Sequence, residues 1–517
     1  TMDESSSFSR RGSAYALGIV PDVFINSSNW RAILTSLLEA TVPEDNPEMR
    51  DAETRVDAVI ASQNILCKIT AKYSASSACG EKDDAISISD LKDAGDMCLE
   101  AFLKGVEDYS VDKRGDVGSW VREASMRAFS EVLRCFQTIS KCSDDSDGIV
   151  VDEYETKCTT ILGVLLKQCG EKIDRTRTVA FESLFALLRG TVGGGGGDDD
   201  DSHVFVSNAK DFESIQACVP VDAKDVSSEA GLQRVFSHCL TKAVLVAPYA
   251  NYALSGWVAS TGAVTESLAK AASTALLSVL SKEDERVDLK EKVARHLIET
   301  FDAYSKIDRV TVPAIRCVDV LFTGGAFDSF SLTIKTPDGA SKDYKTALSD
   351  RIRFECAGTR DVSKYILAAN ALSHVASCTD SVEAKESARL GLLAMMRNKF
   401  PRVRQIASEV LHMALSSEDD VDANTEEVMG MLTARFWEAT MNAEMKEAIH
   451  VIYAKLGLEI PKQTTAGKKD ALKTITEENI VPGVLASSKV PTTHAKKIGD
   501  TADENSSYQS LVEFSGR

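Results

Sequence analysis

The chain has 517 residues, of which 44% are hydrophobic and 6% aromatic. This apolar content is sufficient to form the cores of several domains or of one extended repeat array. Its 59 basic and 78 acidic side chains give a formal net charge of −19, and an acidic chain repels phosphates, so neither nucleic acid nor an anionic membrane is expected as a partner. No signal peptide is visible, and the twelve cysteines are scattered singly, without zinc-ligand spacing. We therefore expect free thiols, no metal and a cytoplasmic location.

The clearest local pattern, at residues 112–133, is a loop that leads into an amphipathic helix. From Trp120 onward, apolar residues recur every three or four positions, as in a helix with one buried face. Asp116 or Ser119 is expected to cap the first helical turn. The guanidinium of Arg122 is expected to reach back to a carboxylate of the loop.

The same periodicity predicts helices along most of the chain. Two short helices are expected within 8–42, broken near Pro21, and the insert at 323–345 is turn-rich and leaves room for a short hairpin. The remaining helices are expected at about 48–73, 89–108, 119–141, 150–170, 174–190, 229–246, 249–260, 263–281, 285–305, 310–322, 346–357, 361–377, 381–398, 401–416, 424–440 and 442–457.

A loose repeat links these helices. An arginine followed by a small residue three positions later recurs at Arg11, Arg122, Arg177 and Arg404, and partly at Arg55. Helix pairs of this kind cannot bury their apolar faces alone and stack on their neighbours. The sequence therefore predicts an all-α, HEAT/armadillo-like α-solenoid, a superhelical stack of helix pairs. A non-repetitive helical domain is the alternative.

Composition divides the chain into four parts. We expect helical HEAT-like repeats at 1–190 and again at 229–460. Between them, 191–228 contains five consecutive glycines and four aspartates and is predicted to be a flexible linker with an irregular segment. Residues 461–517 lose the helical periodicity and are predicted to be a disordered tail.

Other patterns have better structural interpretations. Ser143–Tyr154 has some of the spacing of an EF-hand loop but lacks its first carboxylate and its bidentate Glu, so an acidic loop is favoured. The uncharged stretch 243–264 is interrupted by Pro248 and small polar residues, which favours buried helices over a membrane span. The seven histidines lie far apart and no nucleophile motif is present, so no catalytic site and no cofactor are expected.

Seven segments carry more specific information; in order, they are FSRRGSAYALGIVPDVF, DYSVDKRGDVGSWVREASMRAF, EKIDRTRTVAF, NYALSGWVASTGAVTESL, RVTVPAIRCVDVLFTGGAFD, KFPRVRQIASEVLHMAL and FWEATM…VIYAKLGLEIP. Together they resemble the C-terminal half of the tubulin-folding cofactor D family over nearly all of 8–462. The resemblance is most specific around 114–122, and 229–460 resembles the family's C-terminal domain. Because the family's N-terminal half has no counterpart here, the resemblance suggests a fragment of a longer protein.

The resemblance implies a chaperone-type scaffold without an active site of its own. The family binds β-tubulin and, with the other tubulin-folding cofactors and an Arf-like small GTPase, assembles or takes apart the α/β-tubulin heterodimer. With cofactors C and E it stimulates GTP hydrolysis by tubulin. A cytoplasmic, cytoskeleton-associated location is implied. A HEAT-repeat adaptor of transport or phosphatase type is the alternative.

Partner contact is expected where a distinctive loop is displayed on a rigid scaffold. The candidate partner-binding residues are Asp112, Arg114, Asp116, Trp120 and Arg122. Arginines at the heads of helices have a competing interpretation, in which they bond to loop carboxylates between repeats. The arginines concerned are Arg10, Arg11, Arg114, Arg122, Arg175, Arg177, Arg402 and Arg404.

Overall fold

The computed structural model describes most of the chain up to residue 460. The described residues are 7–44, 50–79, 85–142, 148–189, 206–207, 209–219, 228–281, 287–328, 330–335, 341–378, 380–418 and 421–460. Most of the predicted Gly/Asp linker, the first five positions of the acidic loop at 143–154 and the predicted disordered tail lie outside them.

Helices account for most of the described residues. They are α1 Ser7–Gly18, α2 Trp30–Glu39, α3 Ala52–Cys79, α4 Ile88–Gly105, α5 Gly118–Cys142, α6 Gly148–Gln168, α7 Asp174–Arg189, α8 Phe212–Gln216, α9 Glu229–Arg234, α10 Thr241–Ala243, α11 Ala250–Thr261, α12 Glu266–Leu280, α13 Val287–Ala303, α14 Asp308–Thr323, α15 Tyr344–Cys356, α16 Val362–Ala376, α17 Val382–Met396, α18 Pro401–Ser416, α19 Ala423–Thr433 and α20 Ala443–Lys455. Short 3₁₀ turns lie at Asp22–Phe24 and Ala247–Tyr249, and a π-helical turn at Val235–Leu240 joins α9 to α10.

Two short antiparallel hairpins interrupt the helices. In the first, β1 (Val111–Asp112) pairs with β2 (Gly115–Asp116). In the second, β3 (Thr333–Lys335) pairs with β4 (Ser341–Asp343). The second hairpin lies in the turn-rich insert where the sequence left room for one. The first replaces what the sequence predicted only as a loop.

Many helices begin at a residue whose side chain accepts a hydrogen bond from the first turn. Such a cap satisfies a main-chain N–H that has no partner within the helix and contributes about 1 kcal/mol. The capping residues are Ser87, Ser228, Asp343, Asp361, Ser381, Asp422 and Asn442. Ser87 and Asp90 form a complete capping box at the start of α4.

The contacts divide the chain into two compact units, one ending at Gly256 and the other beginning at Trp257. In the first unit, α1, α3, α5 and α7 contact one another in sequence order and form one layer. The intervening α2, α4 and α6 pack against this layer. Between the layers lie fully buried side chains, among them Trp30 and Phe129.

The second unit repeats this arrangement. Its α12, α14, α16 and α18 form one row of contacts and α13, α15 and α17 a second, while α19 and α20 pack at the end of the stack. Trp257 and Trp437 are fully buried, and each donates its indole N–H to a main-chain carbonyl, of Ala272 at 2.8 Å and of Leu432 at 2.9 Å. The predicted all-α, helical-repeat fold is confirmed. The predicted four-part division of the chain stays a prediction.

A buried ion-pair network joins α14, α15 and α16 within the second unit. The Lys364 ammonium lies 2.7 Å from Glu355 Oε2 and 2.6 Å from Asp308 Oδ1. Glu355 also accepts hydrogen bonds from the Thr311 hydroxyl at 3.0 Å and the Lys306 main-chain N–H at 2.8 Å. The side chains of Lys364 and Glu355 are each 1% exposed, so their charges depend on one another rather than on water.

One helix is shorter than predicted. The sequence predicted a helix at 424–440, but α19 ends at Thr433. The chain then turns, so that Trp437 is buried and its carbonyl accepts a hydrogen bond from Arg404 Nε at 2.9 Å. Burial of this large side chain outweighs continuation of the helical pattern.

Residues 243–264 form the end of α10, a 3₁₀ turn and α11, with Tyr249 and Leu254 fully buried. Of the helices that the structure describes, none has both the length and the apolar character needed to cross a bilayer. No group of three or more His, Cys, Asp or Glu side chains among the described residues is arranged to hold a metal ion.

Candidate partner-binding site

The predicted site is built around the first hairpin and the start of α5. Val111 pairs with Asp116 and Asp112 with Gly115, so the turn consists of residues 113 and 114. Gly115 has φ of +101°, a backbone conformation that residues other than glycine rarely adopt. The RGD sequence at 114–116 therefore forms the turn and return strand of this hairpin.

Asp116 connects the hairpin to the helix. Its Oδ1 accepts the Ser119 main-chain N–H at 2.9 Å, and the Ser119 hydroxyl donates to the Asp116 carbonyl at 2.7 Å. Of the two caps considered from the sequence, Asp116 is the acceptor. Its carboxylate also receives both terminal nitrogens of Arg122, at 3.2 and 2.9 Å, the paired geometry that suits arginine and carboxylate.

Arg122 is the buried centre of the site. Its side chain is fully buried, and Nη1 also donates to the Asp108 carbonyl at 2.7 Å. The guanidinium carbon lies 4.2 Å from the centre of the Tyr109 ring, and Glu171 Oε2 lies 3.8 Å from Nη2. Burial lowers the pKa of Arg122, but Glu171, Tyr109 and Asp116 outweigh it and raise the pKa above its ordinary value. Arg122 therefore positions the hairpin rather than presenting its charge at the surface.

A second buried arginine fixes the same loop from α3. Arg55 donates from Nε to Asp108 Oδ2 at 2.9 Å and from Nη2 to the Ser110 hydroxyl at 2.6 Å. The Ser110 carbonyl in turn accepts the Gly118 main-chain N–H at 2.9 Å. Sequence reasoning missed Asp108 and Ser110, and the partial repeat match at Arg55 was the signal that could have located them.

Asp112, Arg114 and Trp120 form the accessible part of the site. Arg114 donates to Asp112 from its main-chain N–H at 2.7 Å and its Nε at 3.0 Å, and from Nη1 to Glu53 at 3.0 Å. Its guanidinium carbon lies 4.9 Å from the centre of the partly exposed Trp120 ring. Desolvation raises the pKa of Asp112, but its bonds to Arg114 outweigh this effect and lower the pKa below its ordinary value. The bond to Asp112 raises the pKa of Arg114, although desolvation opposes it.

Beside this hairpin lies a groove between α3 and α5, bordered by the start of α7, which we call the Trp120 groove. Its volume is about 470 Å³. Its lining includes Val56, Ile60, Trp120, Ala124, Arg127 and Arg175. Sequence reasoning identified Trp120 but missed the groove, because its two walls are about sixty residues apart in the chain and only packing brings them together.

The arginines at helix heads divide into a buried and an exposed set. The buried ones are Arg10, Arg122, Arg177 and Arg404. The exposed or half-exposed ones are Arg11, Arg114, Arg175 and Arg402. In the first repeat the structure buries Arg10, whereas the sequence pattern used Arg11, which instead pairs with Asp57 at 3.3 Å.

The buried arginines bond to main-chain carbonyls as well as to carboxylates. Arg177 donates to the Glu171 carbonyl at 2.6 Å and pairs with Asp174. Arg404 donates to the carbonyls of Trp437 and Asn398, each at 2.9 Å. Besides the loop carboxylates expected from the sequence, these arginines therefore use main-chain carbonyls, which accept a hydrogen bond without adding a second buried charge.

The close approach of the loop to α5 requires a glycine at 118. A Cβ there would lie 2.3 Å from the Asp108 carbonyl oxygen, a main-chain atom that side-chain rotation does not move. We expect Gly118→Ala to lower the free energy of unfolding by roughly 1–3 kcal/mol, as measured by urea unfolding. Gly12→Ala in α1, where a Cβ meets nothing within 4 Å, is the control and should stabilise by up to about 1 kcal/mol. Equal effects of the two substitutions would contradict the contact.

Residues 159–364 match the family model described as "Tubulin folding cofactor D C terminal". The predicted resemblance to tubulin-folding cofactor D is confirmed over this part of the chain. Residues 112–122, which carry the candidate site, precede the range matched by the family model.

The relatives that match this chain include two whose names are close to the description of that family model. The chain is 29% identical over 197 residues to the tubulin-specific chaperone D of Dictyostelium discoideum, a match that covers 35% of this chain and 13% of the relative. It is 32% identical over 90 residues to the tubulin-folding cofactor D of Schizosaccharomyces pombe, which covers 17% of this chain and 7% of the relative. The matches thus span only a small part of these relatives.

Among solved structures, a crystal structure of an engineered protein aligns with 88% of this chain and 97% of its own. The sequence identity is 14% and the TM-score 0.25. A score this low does not define a shared fold.

Proposed function

We propose that this chain belongs to a tubulin-folding cofactor and acts as a scaffold that binds β-tubulin. In this role it takes part in assembly and disassembly of the α/β-tubulin heterodimer. The observation that carries the proposal is the family match over residues 159–364. The stacked helices of each unit support it, since such stacks present broad surfaces to protein partners.

We further propose that the hairpin and the start of α5 contact a protein partner. The contact would be made by Asp112, Arg114 and Trp120. The hairpin would be held in position against the start of α5 by Asp116 and Arg122. Arg114 is 40% exposed and lies over the Trp120 ring. Arginine and tryptophan are residue types that often dominate binding energy at protein interfaces.

The remaining elements of the proposal concern partners and location. The chain would act together with tubulin-folding cofactors C and E and an Arf-like small GTPase, and with these cofactors would stimulate GTP hydrolysis by tubulin. It would contribute binding surfaces rather than an active site of its own. Its place of action would be the cytoplasm, in association with the cytoskeleton.

Retention of purified β-tubulin on the immobilised whole chain tests this proposal. We expect the chain to retain tubulin, and Arg114→Glu and Trp120→Ala each to weaken binding about tenfold or more, which corresponds to at least about 1.4 kcal/mol. Arg402→Glu is the matched control, since Arg402 is also an exposed arginine at a helix head and makes one long ion pair, at 3.6 Å with Glu438.

The outcomes separate the function from the surface. If the chain retains no tubulin, the proposed function is wrong and a general helical-repeat adaptor is favoured. If tubulin is retained equally by the chain and by the Arg114→Glu and Trp120→Ala variants, the function stands and the hairpin is not the contact surface. Circular dichroism melting of each variant excludes unfolding as the cause of lost binding.

A further inference from the structure

We propose that the Trp120 groove binds an acidic segment of a partner protein, with apolar side chains of that segment inserted between α3 and α5. This inference rests on the proposed binding function and names the chemistry of the partner for a surface adjoining the hairpin. Binding of such a segment requires an apolar floor, a cationic rim and access from solvent. The side chains of the groove supply each of these.

The floor of the groove is apolar. Val56 and Ile60 lie one helical turn apart on α3, and Trp120 and Ala124 lie one turn apart on α5, so two ridges face each other across the groove. Ile60 is 45% exposed, although α3 packs against both α1 and α5. The volume of about 470 Å³ falls within the range of small-molecule pockets, roughly 300–1,000 Å³.

The rim of the groove carries two exposed arginines. Arg127 is exposed and makes no ion pair with any residue that the structure describes. Arg175 is 60% exposed and bonds through Nε to Glu123. Glu123 is itself buried, and it also accepts the Thr176 hydroxyl at 3.0 Å. The exposed charge of the lining is therefore positive, although the chain as a whole carries −19.

This charge pattern favours an acidic protein segment. Guanidinium groups bind carboxylates through paired hydrogen bonds, and apolar walls next to them lower the local dielectric and strengthen that attraction. A purely polyanionic partner would leave the apolar floor uncovered. The negative charge of the rest of the chain opposes extended polyanions such as nucleic acid or an anionic membrane. A short acidic segment with an aromatic or aliphatic anchor fits both features.

Trp120 also provides a direct measurement of occupancy. The chain has four tryptophans, and Trp30, Trp257 and Trp437 are 1% exposed or less. Only Trp120 is partly exposed among them. Acrylamide should therefore quench mainly Trp120, and a segment seated in the groove should protect it. Trp120→Phe should remove the quenchable fraction of the fluorescence.

The test uses the whole chain and a synthetic twelve-residue peptide of Glu and Asp that contains one Phe and one Leu four residues apart. One control peptide replaces Phe and Leu by Ala, and a second replaces every acidic residue by Lys. Binding is measured by fluorescence anisotropy of labelled peptides, and Trp120 protection with unlabelled ones. We expect the anchored acidic peptide to bind at least tenfold more tightly than either control and to protect Trp120 from acrylamide.

Variants of the chain locate the binding. Arg127→Glu and Ile60→Asp should each weaken binding of the anchored peptide at least tenfold, and Arg402→Glu should leave it unchanged. If the Lys peptide binds as well as the acidic one, if the Ala peptide binds equally, or if Arg127→Glu has no effect, the inference is overturned. Retention of β-tubulin distinguishes failure of this inference from failure of the proposed function. If the unmodified chain and the Arg127→Glu variant both retain tubulin while the peptide results contradict the groove, only the inference is wrong. If the unmodified chain retains no tubulin, the proposed function itself is wrong.

Discussion

Arg122→Ala is expected to lower the free energy of unfolding by about 3–5 kcal/mol. The substitution removes a fully buried guanidinium that bonds to Asp116 and to the Asp108 carbonyl. It leaves the Asp116 carboxylate, only 17% exposed, without its positive partner. It also frees the hairpin from the start of α5. Urea unfolding followed by circular dichroism measures the loss.

Arg114→Ala is the matched control for this prediction. Arg114 lies in the same hairpin and also pairs with carboxylates, but those pairs are solvated, so the cost should stay below about 1 kcal/mol. The double variant Asp116→Ala with Arg122→Ala should lose less than the sum of its single variants, because it removes the Asp116 carboxylate together with its partner. Similar losses from Arg114→Ala and Arg122→Ala would contradict the assignment of Arg122 as the buried support of the hairpin.

Lys364→Ala is expected to cost a similar amount at neutral pH, about 3–5 kcal/mol, because it leaves Glu355 charged and buried. The loss should depend on pH in a defined direction. Burial raises the pKa of Glu355, but its bonds to Lys364, Lys306 and Thr311 outweigh burial and lower the pKa below its ordinary value. In the unmodified chain, Glu355 therefore stabilises the fold above its unfolded-state pKa, and this contribution is lost as the pH falls through the folded-state pKa.

Without the lysine, the pKa of Glu355 should rise, so that Glu355 takes up a proton more readily and its burial costs less in acid. The difference in unfolding free energy between Lys364→Ala and the unmodified chain should therefore shrink between pH 7 and pH 4. Lys342→Ala, which removes a partly exposed lysine 2.9 Å from Asp350, is the control and should cost below about 1 kcal/mol at both pH values. A constant difference for Lys364→Ala would show that Glu355 is not the group left unpaired.

The fold class was predictable because apolar spacing repeats along the chain and depends on local sequence alone. The pairing of Arg122 with a loop carboxylate was predictable for the same reason, since Asp116 lies six residues away. Which of Arg10 and Arg11 is buried was not predictable from the sequence. The two adjacent arginines fit the pattern about equally, and only packing decides between them. The candidate site divides likewise, into local contacts that sequence indicates and a groove that it does not.

The features that sequence reasoning missed depend on distant parts of the chain. Arg55 reaches Asp108 across 53 residues, and the Trp120 groove combines Ile60 with Trp120. Helix α19 ends early because Trp437 finds a buried position and a partner in Arg404. No local propensity encodes these contacts. They require knowledge of which helices are neighbours.

The loop between α4 and α5 is gripped by arginines from two successive repeats, Arg55 of α3 and Arg122 of α5, which meet at Asp108. Opening of α3 would remove Arg55 from the Asp108 carboxylate, and opening of α5 would remove Arg122 from the Asp108 carbonyl. Either event would leave a polar group of the loop without its partner. Repeat stacks commonly unfold one unit at a time, with coupling set by nearest neighbours. Here that coupling should be strong, so the amide hydrogens of α3 and α5 should exchange with solvent at a common rate, as a single cooperative block.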